Sequence, residues 1–153
     1  MAQATIYKGQ TFQGYIRAQH GVHDAIRFTY AGMTPEGRMA YYRELRSCKD
    51  ESAVEAVVAE ALSLVIQKWD IEYPGKHPDA AKAGKPVPIT IAGVSDVMPH
   101  VRDKLIGIVT WQTASDIDPQ APIADRLKAL RQQADTRSLA EVMGEAEQEL
   151  RGN

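Results

Sequence analysis

The groups in this 153-residue chain with the means to do chemistry are few: four histidines, one cysteine and scattered carboxylates. His20, His23 and Asp24 form the one cluster with metal-ligand residue types. A metal needs its donors to converge. In a strand, positions three apart face opposite sides, so the two imidazoles would diverge; in a turn they could converge. A solvated turn is the plainer account of an H-x-x-H spacing. His77 lies in a proline-rich stretch and His100 follows Pro99. Neither has an oriented partner in view, and both read as surface or capping residues. Cys48 has cationic neighbours in Arg46 and Lys49, which favour a thiolate. It also falls at the expected C-terminus of a helix, whose dipole disfavours an anion, so it reads as a structural thiol. Phosphate-binding glycine loops, a nucleophile elbow and paired zinc cysteines are all missing from the sequence. The expectation is a protein without catalytic residues, metal or cofactor.

Composition narrows the classes further. The length suits one domain, or one domain with an appendage. Apolar residues make up 44% and charged residues 25%, ordinary for a folded globular chain with its own core. A net charge of -2 argues against bulk electrostatic binding to nucleic acid or an anionic membrane. A single cysteine permits no intrachain disulfide, which suits a reducing compartment. Met1 to Gln10 is polar and lacks the apolar run of a signal peptide, and no apolar stretch reaches transmembrane length.

The elements that must position any site follow from patterning. Residues 3 to 30 are rich in strand formers, among them Thr5, Ile6, Tyr7, Thr11, Phe12, Tyr15 and Ile16. Turns are expected at Gly9-Gln10 and His20-Gly21. Ile26, Phe28 and Tyr30 alternate with Arg27 and Thr29, which predicts a half-buried strand with one apolar face. Thr34-Pro35-Glu36 opens a helix that ends near Cys48, with Met39, Tyr42 and Leu45 on one side. Asp50 or Ser52 caps the next helix. Its apolar positions Val54, Val57, Val58, Ala61, Leu62, Val65 and Trp69 keep the helical period to the end.

Residues 72 to 88 hold four prolines and three lysines and predict a long solvated loop. A short helix, a break at Pro99 and a second helix to Val109 come next. Trp111 to Pro122 reads as a linker, and Trp69 and Trp111 read as core-closing residues with a hydrogen-bond partner for each indole. Trp111 also qualifies as an exposed partner anchor.

Two amphipathic segments complete the chain. Ile123, Leu127 and Leu130 mark the first, which is basic; Leu139, Val142, Met143 and Leu150 mark the second, which is acidic. Each is near the ~12–15-residue length at which an isolated helix is marginal. They need something to pack on: the core, each other, or another chain. These residues and Trp111 are the candidate partner-binding positions.

The stretch R-F-T-Y at Arg27 to Tyr30, M-T-P-E-G-R at Met33 to Arg38, Tyr41-Tyr42 and Leu45 resembles small proteins of tailed-phage and prophage tail cassettes. W-D-I at Trp69 to Ile71, P-V-P-I-T at Pro86 to Thr90 and S-D-I-D-P at Ser115 to Pro119 extend the likeness over roughly residues 26 to 119. The family looks like tail assembly chaperones. That resemblance implies a non-catalytic factor of the host cytoplasm that coats the tape-measure protein, helps bring tail-tube subunits to it and self-associates. A minor tail or head–tail connection protein kept in the virion is the alternative. An enzyme would have to be a metal-dependent hydrolase built on His20, His23 and Asp24. The expected fold is α+β: an N-terminal hairpin or small antiparallel sheet on a helical core (residues 1–119), followed by a helical extension (residues 120–153).

Overall fold

The computed structural model describes residues 9–127, 130 and 131. It has the expected α+β class, with a three-stranded antiparallel sheet against helices. Strand β1 (Thr11–Ile16) pairs with β2 (Ile26–Ala31), and Gly21, at φ 74°, helps turn the chain between them. The expected strand formers Thr5 to Tyr7 lie outside the described residues.

Ile26, Phe28 and Tyr30 turn inward as their alternation requires and are all buried. The other face of β2 is not the open one expected. Thr29 is also buried, and its hydroxyl donates to Gln13 Oε1 at 3.2 Å.

Helix α1 (Pro35–Ser47) starts as read: Thr34 Oγ1 accepts from the Gly37 N–H at 3.1 Å, with Pro35 in the first turn. No α1 residue is buried. Tyr41 rather than Met39 turns to the core, and Met39 is exposed. Asp50, not Ser52, caps α2 (Glu51–Val65), accepting from Ala53 N at 2.8 Å.

The helix does not continue to Trp69. At Ile66 the backbone becomes extended, and Ile66–Trp69 forms β3, pairing with β2 around an irregularity at Thr29/Tyr30. The run of Val65, Ile66 and then Trp69 is strand-competent, and the open edge of β2 supplies the pairing that decides it.

Residues 72 to 86 loop out and return. The ends are pinned where Val87 N donates to Ile71 O and Tyr73 N to Lys85 O, both at 2.9 Å. Trp69 Nε1 donates to Val87 O at 2.7 Å. Helix α3 (Ile91–Ser95) is capped by Thr90, and α4 (Pro99–Val109) starts on Pro99, as the sequence predicts. The core joins the inner face of the sheet to Ala59 and Leu62 of α2, Val94 of α3 and Val101, Leu105, Ile108 and Val109 of α4. Residues 123–127, 130 and 131 are again helical.

Candidate functional site

The segment after α4 is not a free linker. Gln112 N and Thr113 N both donate to Gly107 O, which ends the helix and turns the chain toward β1. Trp111 takes the left-handed position there, at φ 68°, where glycine is the usual occupant. Its ring explains why the strain is tolerated. The indole N–H donates to Met33 O at 3.0 Å, and Phe12 meets the ring edge-on with centroids 5.0 Å apart. Gly32 makes room: a Cβ there would fall 2.1 Å from the indole. Trp111 is therefore an internal clamp, not the exposed partner anchor it was a candidate to be.

The chain then crosses the outer edge of β1. Tyr15 N donates to Ser115 Oγ at 2.7 Å and Asp116 N to Tyr15 O at 2.9 Å. Arg17 N donates to Asp116 Oδ2 at 3.0 Å. An edge strand with bare N–H and C=O groups invites foreign pairing, and this strap covers part of it. On the outward face of the sheet Arg27 closes the strap. Its Nε donates to Asp118 Oδ2 at 2.8 Å and its Nη2 to Asp118 Oδ1 at 3.1 Å, a two-pronged clasp. The Arg27 hydrogen bond holds the Asp118 carboxyl below its ordinary range, and the Gln120 N–H adds to that. The same bond raises the Arg27 guanidinium.

A cleft of about 750 Å³ lies between β1 and this strap, with Phe12, Tyr30 and Trp111 among its lining and Arg27 and Arg126 at its polar side. Its charged groups are largely committed to holding the strap. Tyr30 belongs to its apolar side: burial pushes its hydroxyl up to about 12. Among the described residues lining the cleft there is no histidine or cysteine. Its arrangement suits structural closure, with room for an apolar group.

The histidine candidates do not assemble a centre. His20, His23 and Asp24 lie on one turn, where Gln19 and His23 pair and His23 Nδ1 lies 2.7 Å from Asp24 O. The His23 ring packs against His100, centroids 5.5 Å apart. Among the described residues, no group of three or more metal-ligating side chains comes together. His77 acts as a local cap, its Nδ1 accepting from Asp79 N at 3.0 Å. Cys48 Sγ donates to Glu44 O at 3.2 Å at the end of α1. The basic loop ties itself down: Tyr73 donates to Asp96 Oδ2 at 2.6 Å, Lys82 reaches the same oxygen at 3.4 Å, and Lys82 sits over the Tyr73 ring. That hydrogen bond lowers the Asp96 carboxyl and raises the Tyr73 hydroxyl.

Several large apolar side chains on helices are left exposed. Leu64 on α2 is 78% exposed, Ile123 67%, Leu127 47% and Leu130 49%. Met39 of α1 and Val54 of α2 join them. Three of the expected partner-binding residues are thus on the surface; Leu139, Val142, Met143 and Leu150 lie outside the described residues. Leu64 was missed because its place in the helical period is next to residues that are core. No helix among the described residues is long and apolar enough to cross a membrane. Comparison with protein-family models, curated proteins and solved structures found no match.

Proposed function

We propose that this chain is a non-catalytic tail assembly chaperone of a tailed phage or prophage, acting in the host cytoplasm. It binds the tape-measure protein through exposed apolar helix faces, assists tail-tube assembly and self-associates. The observation that carries the reading is the set of large apolar side chains left in water on helices: Met39, Leu64, Ile123, Leu127 and Leu130. Apolar side chains exposed on a helix suit docking of a helical partner, with anchors at i, i+3, i+4 and i+7. Ile123, Leu127 and Leu130 follow that spacing. The sequence resemblance over residues 26 to 119 supplies the class of partner.

Co-expression with the tape-measure protein from the same genome tests this. The expected result is a soluble complex in which that protein is protected from aggregation. A tape-measure protein that stays insoluble, with no complex recovered, would count against the reading.

A further inference from the structure

We propose that His23 and His100 form a two-imidazole site for a divalent transition ion of the zinc class. The proposal is independent of the reading above, and its failure would leave that reading untouched. The two residues come from distant parts of the chain: His23 from the turn between β1 and β2, His100 from the first turn of α4. Sequence spacing offers His20 and Asp24 as the companions of His23. The fold gives it His100 instead, with ring centroids 5.5 Å apart and the planes tilted by 36°.

That separation is the one a shared ion requires. Zinc sits about 2.0–2.1 Å from an imidazole nitrogen, so a tetrahedral ion bound by two rings holds their centres about 5 Å apart. The ion therefore asks for ring rotation and not for movement of the backbone.

The tautomer of His23 is the one a ligand needs. Its Nδ1 lies 2.7 Å from the Asp24 backbone oxygen. A carbonyl can only accept, so Nδ1 carries the proton, and in the neutral ring Nε2 keeps its lone pair. Metal-ligating histidines are held in this way, the second nitrogen donating to a carbonyl or carboxylate that fixes the ring. The backbone beneath the ring is tied as well: His23 N donates to Gln19 O at 3.1 Å and Gln19 N to His23 O at 3.0 Å. On the other side Pro99 sets the start of α4, and His100 follows it with an exposed side chain.

Two protein donors make an open site. No group of three or more ligand side chains converges among the described residues, so water completes the shell. The donors select the ion: imidazole nitrogen suits zinc, nickel and copper, whereas magnesium and calcium take oxygen ligands. Two ligands supply about half of what a four-ligand structural site does, which places the dissociation constant on the order of micromolar to tens of micromolar. A bound ion ties the β1–β2 turn to α4 and stabilises the folded chain as its concentration rises.

Calorimetric titration of the full chain, made without a histidine tag, with zinc chloride tests the site. Wild type should bind one zinc per chain in that range and ignore magnesium. His23→Gln and His100→Gln should each weaken binding by at least about tenfold. His20→Gln and Cys48→Ser should bind as wild type does. Zinc at about a hundred times the dissociation constant should raise the thermal midpoint of wild type by about 5 °C or more, and that of the two site variants by far less. Equal midpoints without zinc confirm folding; if His23→Gln does not fold, the exposed His100→Gln carries the test. No saturable binding up to about 1 mM zinc, far above the expected range, would overturn the proposal. So would binding that survives His100→Gln, or binding that is lost equally with His20→Gln or Cys48→Ser.

Discussion

The strap side and the outer helix side of this domain handle their surfaces in opposite ways. On the strap side, Ser115, Asp116 and Asp118 find β1 backbone or Arg27, and Trp111 finds Met33 O and Phe12. On α1 and α2, Met39, Val54 and Leu64 are exposed among the described residues. Burial of apolar area is the main stabilising force in folding, at about 25 cal/mol per Å². Leaving it unused on one side while tying down the other with hydrogen bonds separates an open surface from a framework.

The comparison breaks most sharply at Trp111. Trp111→Ala removes an indole that fills the space above Gly32 and holds the strap to the sheet. The expected loss is about 3–5 kcal/mol, read as a fall in the urea midpoint. A loss under about 1 kcal/mol would make the strap an ornament.

The Arg27–Asp118 clasp is next. The Asp118 carboxyl is lowered in the folded state, so its contribution is present above the unfolded carboxylate range near ~3.9 and disappears as pH falls through the folded value. Asp118→Asn should therefore lower stability at neutral pH and match wild type in strong acid. Urea titrations at several pH values check this. Asp96, lowered by its Tyr73 bond, preserves part of the acid dependence in the variant.

At the alkaline end the sign reverses. Tyr30 and Tyr41 are both raised to about 12, chiefly by burial, so their stabilisation is complete below the unfolded tyrosine value near ~10 and is lost as pH rises through about 12. Tyr30→Phe should flatten that loss, with Tyr41 accounting for what remains, as thermal midpoints between those pH values would show.

The smallest effects are expected on the helix side. Arg102 is 8% exposed, its Nε has no hydrogen-bond partner, and its nearest carboxylate, Glu55, is 4.0 Å away. Arg102→Met should be neutral or stabilising by about 1 kcal/mol, since a poorly paired buried charge costs desolvation. Leu64→Asp should change stability by less than about 0.5 kcal/mol. If Leu64→Asp instead unfolds the domain, the outer face is not spare.

Local signals in the sequence were read well where they are local in physics. Thr34 with Pro35, and Pro99 after a short apolar run, announce their own helix starts because capping and proline geometry act within a turn. The end of α2 was not legible. Ile66 fits a helix or a strand, no glycine or proline stands at the change, and the edge of β2 that captures it comes from residues some forty positions earlier. The strap was hidden for the same reason. Asp116 and Asp118 resemble linker residues until Arg17 and Arg27, 99 and 91 residues away, are seen beside them. Ile123, Leu127 and Leu130 were readable as an apolar stripe from spacing alone, and all three are exposed.

Hydrogen exchange of the chain alone and in complex with the tape-measure protein, from cells making both, is the most direct test of the central claim. The account predicts new protection on the outer faces of α1 and α2 and on residues 123–131, with the strap unchanged. Protection confined to the cleft between β1 and the strap, or no complex at all, would contradict it.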